Sequence, residues 1–123
     1  MNRVLRGRLA VASVLLAGCG TTDPIFCTEQ FVFGITVEVR DGLTGVARAD
    51  GATLTLRDGD YVESTSDSFD GLTMWGAGER AGTYTVTVAR NGYHTWVSSG
   101  VVVTADECHV LPISLRADLE AIP

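Results

Sequence analysis

The chain has 123 residues, which is the size of one domain and leaves no room for a second after a leader. It has no lysine, and its nine arginines face fifteen acidic residues, which gives a formal net charge of −6. Nucleic acid is therefore excluded as an expected partner, because phosphate contacts need clustered basic residues. The same acidity disfavours adsorption to anionic lipid headgroups.

The N-terminus has the composition of a secretory signal peptide. Arg3, Arg6 and Arg8 form a positively charged region, and residues 9–18 form an apolar run that ends in small side chains. This run is too short to cross a hydrocarbon core, which needs about twenty residues. We therefore expect residues 1–18 to be a cleaved leader rather than a transmembrane helix.

The end of this leader resembles the bacterial lipobox. Leu16, Ala17 and Gly18 precede Cys19, whose thiol is the nucleophile that takes the lipid in such a motif. The resemblance implies cleavage before Cys19 and attachment to the membrane through acyl chains on that residue. Gly20 stands where an aspartate would retain a lipoprotein at the inner membrane, which implies the outer membrane of a Gram-negative cell, on its periplasmic or surface face. The alternative is an ordinary signal peptide with an incidental cysteine.

Residues 19–29 are expected to be the lipidated cysteine and a short tether, and residues 30–123 the domain. Removal of the three leader arginines leaves residues 19–123 with a charge of 6 − 15 = −9. From residue 31 onward, apolar side chains occupy every second position, which predicts a strand with one buried face. The residues expected on that face are Phe31, Phe33, Ile35, Val37 and Val39.

The rest of the chain reads as short strands separated by turns. Asn91 and Gly92 predict a hairpin turn. The predicted fold class is all-β, a single small antiparallel β-sandwich of seven or eight short strands, immunoglobulin-like or transthyretin-like. Strands after the first are expected at residues 52–56, 61–63, 73–77, 83–90, 93–97, 101–104 and 108–119.

The motif GTYTVTV at residues 82–88, followed by NGY at residues 91–93, resembles the carboxypeptidase regulatory-like domain. An earlier segment at residues 39–45 and the small residue Ala52 extend the resemblance, which covers roughly residues 34–119. The resemblance implies a transthyretin-like sandwich and an exported location. It implies no catalytic residue, because the glycines of the motif form turns and its Tyr and Val fill the sandwich.

With Cys19 lipidated, Cys27 and Cys108 remain, and an even remainder in an oxidising compartment predicts a disulfide. Two free thiols or a metal pair are the alternative, although no C-x-x-C spacing accompanies them. His94, expected in a strand, and His109 are the only histidines, and they lack spaced partners. We therefore predict no metal ion and no cofactor at these residues.

Two features could bind a small ligand. Trp75 is the best candidate for stacking on a sugar ring, because Gly76, Ala77 and Gly78 would leave its ring uncovered. The acidic segment that contains Asp58 and Asp60 could supply oxygen ligands to calcium, although it lacks the regular spacing of a calcium loop. The alternative is that Trp75 belongs to the core or its rim and that these carboxylates are solvated.

No catalytic motif is present in the sequence, and we predict that the protein is not an enzyme. The leading functional hypothesis is a lipid-anchored envelope protein whose sandwich takes part in protein interaction, adhesion or envelope assembly. The expected partners are the membrane, through the lipid, and an envelope protein or glycan. The alternative is a small-ligand module that binds glycan or calcium through Trp75 and the acidic loop at residues 58–70.

Overall fold

A computed structural model describes residues 24–123 of the chain. The predicted signal peptide and Cys19 lie outside the described residues. The strands are β1 (Phe33–Asp41), β2 (Ala52–Asp58), β3 (Tyr61–Thr65), β4 (Thr73–Gly78), β5 (Gly82–Arg90), β6 (Trp96–Val103) and β7 (Ile113–Leu119).

The strands form two facing sheets, one with the order β4-β1-β7 and one with the order β3-β2-β5-β6. This confirms the predicted all-β sandwich with seven strands in the described part of the chain. One pair departs from the antiparallel expectation, since β1 and β7 run parallel from Ile35 opposite Ile113 to Asp41 opposite Leu119. The first and last strands therefore lie side by side.

The core fills the space between the sheets with medium-sized side chains. Ile35, Val37 and Val39 project inward from β1, and they alternate with partly exposed residues as the sequence predicted. Across the sandwich, β5 contributes the buried motif residues Tyr84, Val86 and Val88.

The N-terminal end of β1 differs from the prediction. Gly34 and Ile35 are both buried, so the in-and-out alternation breaks between them. A Cβ at Gly34 would lie 2.7 Å from the Val103 side chain of the opposite sheet, which shows that this glycine faces the core. The expectation that Phe31 and Phe33 belong to the buried face is therefore wrong, because the break turns them out to solvent.

Two predicted strands, at residues 93–97 and 101–104, are one strand, β6. The residues between them form a bulge, since Tyr84 and Val86 of β5 pair with Val101 and Ser98. Gly100 has a φ of 67°, which a glycine adopts without strain. The segment between the two predicted strands is thus part of one continuous strand, which has one residue more than its partner at this point.

The predicted turn at Asn91 and Gly92 is confirmed, with Gly92 at a φ of 84°, and β5 pairs antiparallel with β6. The two strands are joined by residues 91–95 and not by a two-residue turn alone, since Val88 pairs with Trp96. The strand after it begins at Trp96, so His94 lies in the connection and not in a strand. The last strand also begins later than expected. Asp106 accepts hydrogen bonds from the backbone amides of Cys108 and His109, which forms a turn there and leaves β7 to start at Ile113.

Candidate binding surface

All four phenylalanines of the chain are exposed, which is unusual for a side chain that most proteins bury. The exposed fractions are 86% for Phe26, 61% for Phe31, 43% for Phe33 and 93% for Phe69. The core is filled instead by aliphatic side chains, one methionine and one buried tyrosine. These exposed rings are therefore available to contact another molecule.

Three of these phenylalanines continue into Trp75 and form a row. The ring of Phe31 meets Phe33 edge to face at a centroid distance of 5.1 Å, and Phe33 lies 6.5 Å from Trp75. Phe69 lies 5.7 Å from Trp75 on its other side. We call Phe31, Phe33, Trp75 and Phe69 the aromatic row, and it follows the outer face of the β4-β1-β7 sheet.

Small residues of β4 make room for the row. A Cβ at Gly78 would fall 2.2 Å from the Phe31 ring, so this ring packs over the glycine. Gly76 faces the other way, because a Cβ there would lie 2.4 Å from the buried side chain of Leu56. The expectation that the neighbouring small residues leave the ring of Trp75 uncovered is therefore wrong, since Phe33 and Phe69 partly cover it.

The chain segment that leads into the row is fastened to the sandwich. Cys27 and Cys108 form the predicted disulfide, with a Cα–Cα distance of 5.1 Å. One residue further, a hydrogen bond of 3.0 Å joins Thr28 Oγ1 to His109 Nε2. His109 Nδ1 in turn donates to Glu79 Oε1 at 2.7 Å. We call Cys27, Thr28, Glu79, Cys108 and His109 the N-terminal clamp.

Glu79 holds the clamp to the base of the row. Its Oε1 accepts a hydrogen bond of 2.8 Å from the amide of Val32, which lies between Phe31 and Phe33. Partial burial alone would raise the pKa of Glu79, but the hydrogen bonds from His109 and from the amides of Val32 and Val110 lower it overall. An ionised Glu79 therefore fixes the backbone from which the first two rings of the row project.

The charged side chains on the outer face of this sheet are paired. Glu38 and Arg40 of β1 form an ion pair, and Arg116 pairs with Asp118 on β7 at 2.9 Å. These side chains alternate with buried residues of their strands, so they face outward with the row. The face has no net charge from these four residues, although the chain as a whole carries −6.

The two acidic candidates are not gathered into a ligand site. Asp58 pairs with Arg80 at 3.0 Å, and the guanidinium of Arg80 lies over the ring of Tyr61. Asp60 lies in the exposed turn between β2 and β3. Among residues 24–123, no group of three or more His, Cys, Asp or Glu side chains is arranged to hold a metal ion.

At the end opposite the clamp, a polar network ties β1 to the hairpin. Asp41 accepts hydrogen bonds from the amides of Leu43 and Thr44 and from the hydroxyl of Tyr93, at 2.7 to 2.9 Å. These bonds, with that of Thr44 contributing most, hold the pKa of Asp41 at about 2, below its usual 3.8. Shallow clefts of about 430 and 500 Å³ flank this end.

The fold and surface define a small two-sheet β-sandwich with an exposed aromatic row. No protein-family model matches the chain. A search of curated proteins finds no match either. In the described residues, no helix has the length and apolar character needed to cross a bilayer.

Sequence reasoning found Trp75 but missed its three neighbours. Phe31 and Phe33 satisfy the alternation of a buried strand, which predicts a core position for both. Phe69 stands alone among serines and aspartates, and a large aromatic in such a polar loop was a usable signal of exposure.

Proposed function

We propose that this protein is a lipid-anchored, non-enzymatic domain of the bacterial cell envelope that docks onto another envelope component through its aromatic row. The observation that carries the proposal is the contiguous series of exposed rings from Phe31 to Phe69. Burying one such side chain is worth about 1.5 to 3 kcal/mol. An exposed apolar patch of this kind marks an interaction site.

The proposed anchor is Cys19, with cleavage after Gly18, and the proposed location is the outer membrane. The lipobox-like residues before Cys19 support it, and so does the disulfide between Cys27 and Cys108, which is typical of an oxidising compartment. The clamp also suits an anchored protein, because it attaches the segment after the anchor to the body of the domain.

Membership of the carboxypeptidase regulatory-like family is part of the proposal. The roles of the motif residues support it, since Tyr84, Val86 and Val88 fill the core and Gly92 forms the turn. These roles are structural, so the resemblance contributes a fold and no chemistry.

A glycan-binding role is less well supported by the same surface. The rings of Phe33 and Phe69 are tilted by 36° and 48° against Trp75, which leaves no single flat platform for a sugar ring. Calcium binding by Asp58 would require that carboxylate to leave Arg80. Titration with cell-wall glycans and with calcium in a calorimeter would show heat only if this alternative were correct.

The docking role can be tested by photo-crosslinking in a Gram-negative host that expresses the full chain. A benzophenone amino acid at position 33 should give an adduct with an envelope component, because this position lies within the row. The matched control carries the same probe at position 43, where the native leucine is 94% exposed but lies in the turn after β1. Equal labelling at the two positions would contradict the docking role.

The anchor is tested separately by fractionation of the same cells. Cys19→Ser should abolish lipidation and move the protein out of the detergent-extracted membrane fraction, because the acyl chains are what hold it firmly in the bilayer. If the Cys19→Ser protein were retained as firmly as the unmodified chain, Cys19 would not be the anchor.

A further inference from the structure

We propose that the envelope component bound by the aromatic row is the bilayer itself, at the boundary between headgroups and acyl chains. This inference rests on the proposed lipid anchor at Cys19. The sandwich would then lie against the membrane on the outer face of its β4-β1-β7 sheet, with Phe31, Phe33, Trp75 and Phe69 inserted.

The length of the tether keeps the point where the chain enters the sandwich close to the bilayer. Cys19 and Cys27 are 27 − 19 = 8 residues apart, and eight extended residues span at most about 29 Å. Cys27 is fixed to the sandwich by its disulfide, so this distance is measured from a defined point of the fold. Phe31 follows only four residues later (31 − 27 = 4), which places the base of the row near that point.

The side chains of the row suit an interface of lipid and water. Tryptophan is enriched at this depth because its ring is largely apolar and its N–H reaches polar groups, and phenylalanine adds apolar area. Two further apolar residues, Ile25 and Phe26, are exposed immediately before the clamp. They add exposed apolar side chains to the segment between the anchor and the row.

The charged side chains around the row indicate which kind of lipid it can contact. On the outer face of this sheet, Glu38 pairs with Arg40 and Arg116 pairs with Asp118, so the charges of these four residues cancel. Exposed acidic residues flank the row, with Asp67 and Asp70 on either side of Phe69 and Glu29 and Glu107 near the clamp, and they would be repelled by anionic headgroups. The expected surface is therefore zwitterionic lipid, contacted through apolar side chains.

The two tryptophans of the chain provide the test, since only Trp75 lies in the row. Trp96 pairs with Val88 on the other sheet and packs partly against the core. The protein, expressed from the full chain and purified in detergent from membranes of a Gram-negative host, is mixed with phosphatidylcholine vesicles that contain brominated acyl chains, which quench tryptophan on contact. In Trp96→Phe, the emission of Trp75 should fall by at least about half, as expected for a ring at the interface. In Trp75→Phe, the emission of Trp96 should be nearly unchanged.

A second pair of variants tests whether the quenching of Trp75 depends on the other rings of the row. Adding Phe31→Ser and Phe33→Ser to Trp96→Phe should reduce the quenching of Trp75, whereas adding Leu43→Ser should not. Vesicle flotation is measured in parallel. Protein that floats while Trp75 is quenched no more than Trp96 overturns the inference and leaves the anchor standing. Protein that does not float removes both the anchor and the inference.

A second copy of the chain is the remaining occupant that the same experiment can reveal. If a partner copy covered the row, the emission of Trp75 would shift to the blue as the protein density on the vesicles increased, without quenching by brominated lipid. That result would overturn the membrane contact.

Discussion

Asp41 shows how one buried carboxylate contributes to the stability of this fold. Its pKa is lowered to about 2 because the amides of Thr44 and Leu43 and the hydroxyl of Tyr93 donate to its ionised form. In the unfolded chain its pKa returns to near 3.8. The stability that it contributes is therefore fully present above pH 3.8 and is lost as the pH falls toward 2.

Asp41→Asn should consequently lower the Tm at neutral pH, and the difference from the unmodified protein should narrow as the pH falls from 3.8 to about 2. Thermal unfolding followed by circular dichroism across this range measures the effect. Asp60→Asn, in the exposed turn after β2, is the matched control and should change little. A Tm difference for Asp41→Asn that does not depend on pH would show that the network acts through packing and not through charge.

Gly34 faces the core, and Gly78 faces the aromatic row. Gly34→Ala should destabilise the protein by about 1 to 3 kcal/mol, because the new Cβ meets Val103 and the carbonyl of Ala77 inside the sandwich. Gly78→Ala should change stability less, since its Cβ meets the ring of Phe31, which can move outward. Denaturant unfolding of both variants tests this, and a larger loss for Gly78→Ala would mean that the row supports the fold.

The sequence predicted individual buried positions well where the strand is regular. Ile35, Val37 and Val39 are buried as expected, because period-two alternation needs no knowledge of the neighbouring strand. Phe31 and Phe33 fit the same pattern and are exposed. Their exposure depends on the break at Gly34, which arises from the close approach of Val103 on the other sheet, and a single strand's pattern contains no information about that contact.

At the scale of the elements, the disulfide and the hydrogen bonds of the clamp attach the N-terminal segment to the loop before β7. The bond between Cys27 and Cys108 has a sequence separation of 81 residues, for which the chain-entropy model gives about 4 to 5 kcal/mol. The double variant Cys27→Ala with Cys108→Ala should lose a large part of this free energy of unfolding. Denaturant titration without reductant measures it, and an unchanged midpoint would contradict a stabilising role.

The limits of some strands could be predicted from the sequence and those of others could not. β5 and the hairpin after it combine strong alternation with an Asn-Gly turn, and both were predicted. The continuity of β6 through Ser99 and Gly100 was not, because a bulge depends on the partner strand. The start of β7 was not predicted either, because the turn formed by Asp106 delays this strand to Ile113.

At the scale of the whole molecule, spacing of short strands was enough to predict a sandwich, but not the parallel pairing of β1 with β7. That pairing brings the N-terminal segment and the segment before β7 to the same end, where the clamp forms. The aromatic row follows from the same arrangement, since its members come from the segment before β1, from β1, from β4 and from the loop before β4. The candidate surface is thus a product of tertiary structure, of which only Trp75 was visible in the sequence.

The most direct test of the lipid anchor is an intact-mass measurement, without reductant, on protein expressed from the full-length chain and purified from bacterial membranes. We expect the mass of residues 19–123 with acyl groups on Cys19 and two hydrogens fewer than the reduced chain, because Cys27 and Cys108 are joined. A chain without acyl groups would contradict the lipid anchor, and with it the proposed contact of the aromatic row with the bilayer.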